Sequence, residues 1–148
     1  MVPSLGRLLV GILIYLGTAL SPSTGVELAA QPRAAAPPTA VDAALLQMGR
    51  QLFLSNYCGV CHALAAADTR GFLGPALNHV ATTAVQRIAD PTYKGSAVSA
   101  EDYLRESIVT PMAYLAPGAA SGNHPMPSFA YLADQDIAAL VYFLERQK

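Results

Sequence analysis

Only two cysteines, Cys58 and Cys61, occur in the 148 residues, so any metal cage would have to draw its other ligands from elsewhere. Basic residues are equally sparse. Nine Lys and Arg face ten Asp and Glu, and none of the nine form a run, which removes the electrostatic footprint that nucleic-acid binding needs. No stretch alternates apolar and polar residues over a useful length, which leaves an all-α domain, and the chain has no internal repeat. No nucleophile–base pair stands out, and neither Glu106 nor Asp136 has a partner suited to acid–base catalysis.

What is present begins with a short apolar segment. Leu8 to Leu20, LLVGILIYLGTAL, carries no charge over thirteen residues, with Arg7 before it and Ser21-Pro22-Ser23 after it. At about 1.5 Å per residue it spans roughly 20 Å, short of the roughly 30 Å of a bilayer core and suited to a signal-peptide core. Counted from Val2, with Arg7 reaching toward the headgroups, the same segment makes a marginal membrane anchor. Leu28-Ala29-Ala30 offers only a weak cleavage site, so residues 1–20 are read as an anchor first and a cleaved signal second. Arg7 on the N-terminal flank places the rest of the chain outside the cytoplasm in either case. Residues 21–40 are rich in Ala, Pro, Ser and Thr and lack an apolar period. They form a tether, with a reach of roughly 25 Å as a flexible coil.

Residues 41–148 form the folded unit, roughly 110 residues long. Its seven basic and nine acidic residues, counted from Ala40, leave a net charge of −2, so docking does not rest on a lysine-rich face. Leu45, Met48, Leu52 and Phe53 fall at helical spacing in a segment that starts near Asp42. Ser99 and Asp102 have the form of a capping box and open a second helix, with Tyr103, Leu104 and Ile108 on one side and Pro111 as its stop. A third helix runs through DQDIAALVYFLERQK, with Ile137, Leu140, Val141 and Leu144 on one stripe. Its acidic start and basic end suit the helix dipole. His62–Val80 and the Pro/Gly-rich Thr110–Phe129 are irregular, and loops of that length in a small domain usually have a function.

The chemistry concentrates in Asn56-Tyr57-Cys58-Gly59-Val60-Cys61-His62. A redox dithiol belongs at the start of a helix that follows a strand, whereas here a helix precedes the pair. Zinc needs two more ligands at compact spacing, and His79 and His124 lie far along the chain. Covalent haem fits best. Two sulfurs one turn apart match the two vinyl groups of a porphyrin, and His62 follows directly as the proximal ligand. An export signal agrees with that chemistry. The dithiol and zinc readings remain as alternatives.

With these residues in place, the region from Leu45 to Leu144 resembles a mono-haem class I cytochrome c domain. The resemblance implies a small all-α fold with its first and last helices packed together around a covalent haem. Gly49 and Phe53 occupy the family's contact positions on the first helix, and Leu140 and Phe143 those on the last, with Phe143 in place of the usual Tyr. LGPAL, residues 73–77, follows His62 at the family's spacing. By that resemblance, the carbonyl of Pro75 orients the His62 imidazole and Leu77 packs against the haem face. Met126, between two prolines in His124-Pro125-Met126-Pro127, resembles the axial methionine. It ranks ahead of Met112, His124 and an open sixth site.

One thioether-linked haem c, with its iron held by His62 and Met126, implies an electron-transfer protein rather than an enzyme, because a soft neutral donor favours ferrous iron. The sequence resembles the membrane-tethered cytochrome c subunits of bacterial respiratory or photosynthetic complexes, such as alternative complex III. The partners so implied are redox proteins or subunits of such a complex. The alternatives are a soluble exported carrier after cleavage, and a haem enzyme or gas sensor with an open sixth site. Tyr93, Tyr103, Tyr114, Tyr131, Tyr142, Arg87 and Arg105 are weaker candidates for contact with the haem propionates.

Overall fold

The first helix starts earlier than its apolar pattern suggests. In the computed structural model, which describes residues 39–117 and 124–148, α1 runs from Ala40 to Ser55 with Thr39 as its cap. Asp42 is not the cap. The Thr39 hydroxyl accepts from the Asp42 N–H, and the Asp42 carboxylate accepts from the Thr39 N–H at 2.9 Å, so the two close a reciprocal box. Thr39 and Ala40, read as the end of the tether, therefore belong to the helix. The proposed anchor, the cleavage site Leu28-Ala29-Ala30 and the rest of the tether lie outside the described residues. Among the described residues no helix is long and apolar enough to cross a membrane.

Four more helices follow: α2 (Cys58–Cys61), α3 (Val80–Ile88), α4 (Ala100–Val109) and α5 (Asp134–Leu144). Two-residue strands β1 (Ala63–Leu64) and β2 (Thr69–Arg70) pair antiparallel, with Ala63 opposite Arg70 and Leu64 opposite Thr69. The domain is all-α apart from this small ladder. Two of the helices went unread in the sequence. α2 is a single turn, and α3 is a short Ala/Thr-rich segment whose buried Val80 and Ala84 lie four apart. That spacing was its one legible signal. Pro91 follows closely, and the Ala81 N–H at its first turn donates to the Gln147 carbonyl, so the end of the chain caps α3.

The expected capping of α4 is present in a modified form. Ser99 Oγ accepts from the Asp102 N–H at 3.1 Å, and the Ser99 hydroxyl donates to the Asp102 carboxylate at 2.7 Å. Tyr103, Leu104 and Ile108 are buried, as are Ile137, Leu140, Val141 and Leu144 of α5. No buried polar or charged residue interrupts this core among the described residues.

The seam between α1 and α5 is the tightest in the domain. Gly49 is buried there, and a methyl in its place would strike the Ala139 carbonyl and lie 2.6 Å from Phe143 Cβ. The missing side chain lets the two helices approach at that point. One turn on, the rings of Phe53 and Phe143 meet edge to face at 6.1 Å between centroids. At the outer end Tyr142 donates a hydrogen bond to Asp42, and the Arg146 guanidinium lies over the Tyr142 ring. The seam thus fixes both ends of the domain and leaves the middle of the chain to enclose a space.

Candidate functional site

The cysteine turn is set by an unusual backbone step. Asn56 and Tyr57 close α1 through their N–H groups to the carbonyls of Leu52 and Leu54. Tyr57 then takes φ 59°, the left-handed conformation that bulky residues rarely adopt. That step swings the chain so that Cys58 opens a new helical turn beside the end of α1. Cys58, Cys61 and His62 follow within it, each half-buried.

The chain after His62 is tied back onto this turn. The Gly74 N–H donates to the Cys61 carbonyl at 2.9 Å, and the Leu77 N–H donates to the Ala63 carbonyl at 2.8 Å. The Thr69 hydroxyl donates to the His62 carbonyl at 2.9 Å. These bonds bring Pro75 alongside the imidazole, with His62 Nδ1 and the Pro75 carbonyl oxygen 2.8 Å apart. The second ring nitrogen, Nε2, is left for another partner. Gly74 sits directly against the ring, where a methyl would come 2.5 Å from His62 Cε1.

The return of the second irregular stretch is anchored as well. The Phe129 N–H donates to the Ile108 carbonyl at 3.0 Å, and the Ser128 hydroxyl donates to the Val109 carbonyl at 2.6 Å. Met126, two residues earlier, is half-buried against the core.

Between these walls lies a cavity of about 370 Å³, within the range of sites that take small molecules and cofactors. Cys58, Cys61, His62, Pro75 and Met126 all line it. A second, smaller space of about 70 Å³ has a wholly apolar lining that includes Cys58, His62, Leu77 and Met126. Cys58, Cys61, His62, Pro75, Leu77 and Met126 therefore each line one or both spaces. Met112 and His124 line only the larger one, and both are exposed, Met112 by 62%.

Chemically, Cys58 is ill suited to redox exchange. Burial pushes the Cys58 thiol up to about 11, with the neighbouring Cys61 adding to the shift, whereas a reactive dithiol needs a depressed value. Among the described residues no group of three or more His, Cys, Asp and Glu side chains could hold a metal ion, so a zinc cage lacks donors there.

The residues do fit a large flat group bearing acidic substituents. The cavity walls are mostly apolar, the Gly74 notch keeps the His62 ring in place, and the buried Tyr114 hydroxyl has no hydrogen-bond partner among the described residues. That orphan was one of several tyrosines of equal standing in the sequence. The structure separates them. Tyr142 bonds to Asp42, Tyr93 donates to Glu106 at 2.6 Å, Tyr131 lies at the surface, and Arg105 pairs with Asp134 at 2.5 Å. Arg87, Tyr103 and Tyr114 remain at the cavity wall.

An all-α shell in which a helical turn presents two thiols and an imidazole to an apolar cavity is the layout of a protein that holds a redox group covalently. The family model described as Cytochrome c matches residues 46–148, most of the chain. The protein belongs to the cytochrome c family, its cofactor is covalently bound haem c, and its chemistry is haem-based electron transfer. Neither the curated proteins nor the solved structures compared with it gave a match.

Proposed function

We propose that this chain is a tethered one-electron relay in which Cys58 and Cys61 carry the two thioether links and His62 and Met126 are the axial ligands. The observation that carries the ligand assignment is the sharing of space: His62 and Met126 line both cavities together, and Met112 lines only the larger. Haem c supplies a one-electron iron couple.

The residues around it hold and tune that couple. Pro75 accepts the Nδ1 proton of His62, which fixes the ring and turns Nε2 toward the cofactor. The bonds from Ser128 and Phe129 to α4 hold the segment that carries Met126, which would keep its sulfur available to the iron. The apolar lining excludes water. A reduced partner loses one electron to the chain, and an oxidised partner gains it, with no atom transferred.

Residues 1–20 anchor the domain on the outer face of the cytoplasmic membrane, and residues 21–38 tether it. Its partners are redox proteins or neighbouring subunits of a membrane electron-transport complex. The modest net charge of the folded part supports docking through surfaces other than a lysine-rich ring.

Replacement of Met126 by Ala should abolish the weak near-red charge-transfer band of ferric methionine-ligated haem, and Met112→Ala should leave it intact. A Met126→Ala protein that keeps the band overturns the ligand assignment. A prompt shift of the ferrous spectrum with carbon monoxide in the unmodified protein indicates an open sixth site instead. Intact mass of the mature chain from membranes distinguishes the anchored form from a cleaved, soluble carrier.

A further inference from the structure

One corner of the larger cavity differs from the rest of its wall. Arg87 from α3, Tyr103 from α4 and Tyr114 from the following loop meet there, and among the described residues no Asp or Glu lines the cavity. The donor count is uneven in an informative way. Tyr103 is 3% exposed, and its oxygen accepts from Arg87 Nη1 at 2.9 Å, so its own proton is still available. The Tyr114 hydroxyl is buried and has no partner among the described residues. Arg87 brings a permanent positive charge, and its guanidinium is held over the Tyr103 ring at 5.8 Å.

Three donor groups, one of them charged, thus converge, and apart from the bond from Arg87 to the Tyr103 oxygen they meet no acceptor among the described residues. Buried donors without acceptors are costly, and this arrangement suits an anion. Tyr93 makes the contrast. Its ring packs against both others, at 4.9 Å from Tyr114 and 5.9 Å from Tyr103, yet its hydroxyl proton is already committed to Glu106. Glu106 is saturated in turn, accepting from Tyr93 and from the N–H and hydroxyl of Ser96 at 2.7 Å. Glu106 is therefore turned toward Tyr93 and Ser96, and it is not among the residues that line the cavity.

We propose that Arg87, Tyr103 and Tyr114 seat a carboxylate, a haem propionate, and act as positioning residues that set the orientation and potential of the cofactor. This rests on the reading of the chain as a haem c carrier and not on which residue is the sixth ligand. A propionate here is partly neutralised by Arg87, which favours ferrous iron relative to an uncompensated carboxylate.

The test uses the full-length haem-loaded protein, with resonance Raman detection of the propionate bending modes and a redox titration. Tyr114→Phe should shift a propionate mode and lower the midpoint potential. Arg87→Lys, which keeps the charge but loses the fork, should shift the mode with a smaller fall in potential, and Arg87→Met should lower the potential most. Tyr93→Phe removes a hydroxyl from the same ring cluster and should change neither readout, which a merely structural role would not predict. Should Arg87→Met fail to accumulate, Tyr114→Phe and Arg87→Lys still decide the matter. Unmoved modes in both, or an equal shift in Tyr93→Phe, overturn the proposal. So does a mode shift in the unmodified protein on titration with acetate, which would give the corner to a free anion. A mature chain without haem overturns this inference and the relay reading together, whereas haem present with unmoved modes overturns this inference alone.

Discussion

The α1–α5 seam and the cavity wall are both built around a glycine, and the two glycines do opposite work. At Gly49 the missing side chain admits backbone, and the neighbour is the Ala139 carbonyl, which is fixed in a helix. At Gly74 it admits the His62 ring, a side chain that can tilt only at the expense of its hydrogen bond to Pro75. The first absence supports stability and the second supports chemistry. The seam is filled mainly by apolar side chains, whereas the wall is irregular, pinned by single hydrogen bonds and open to a cofactor. A small domain can place its function in irregular chain when two well-packed helices hold the ends together.

The largest expected effect separates these two roles. Gly49→Ala gains about 1 kcal/mol of helix propensity, but the methyl cannot displace a backbone carbonyl, and overpacking of this kind costs about 1–3 kcal/mol. Because the Ala139 carbonyl cannot yield, a net loss of about 1–2 kcal/mol is expected, with little change in the haem spectrum. Chemical denaturation of the haem-loaded protein checks it, and an unchanged midpoint would show that the helices separate without penalty.

Gly74→Ala sharpens the contrast. Here the ring gives way, so stability should fall by less than about 1 kcal/mol. The His62–Pro75 hydrogen bond should lengthen, and the electron paramagnetic resonance of the ferric form should move. An unaltered spectrum would mean that the notch at Gly74 does not hold the imidazole.

The smallest effect lies at the outer end of the seam. The hydrogen bond from Tyr142, followed by those from Thr39, holds the Asp42 carboxyl at about 2, below its ordinary 3.8. Folding is therefore favoured by ionised Asp42 above about pH 4, and that contribution is lost as the pH falls from about 4 to about 2. Tyr142→Phe should flatten this part of the acid-unfolding profile, with a small loss of stability at neutral pH that disappears as the pH falls to about 2. A profile that keeps its slope would place the acid sensitivity elsewhere.

Much of the seam was legible because helical packing writes itself into spacing. Leu104 and Ile108 of α4, and Ile137, Leu140, Val141 and Leu144 of α5, recur three or four apart and are all buried. The start of α1 was misplaced by three residues, because Asp42 looks like a cap and is the third residue of a box whose cap is Thr39. α3 was missed, since Ala and Thr carry too little apolar contrast to mark a face, and its first turn is completed by the distant Gln147 carbonyl.

The sequence by itself determined what the chain can bind covalently. Two thiols one turn apart followed by an imidazole, and a methionine held between prolines, are chemical facts that need no fold. Tertiary structure decided which of several equivalent side chains lines the cavity. Tyr93, Tyr103 and Tyr114 are alike in composition, and only packing showed that one hydroxyl is bound to Glu106, one bonded to Arg87 and one left without a partner among the described residues. The reason is that hydrogen bonds between residues distant in sequence depend on how helices cross and loops return, and local periodicity carries no record of either.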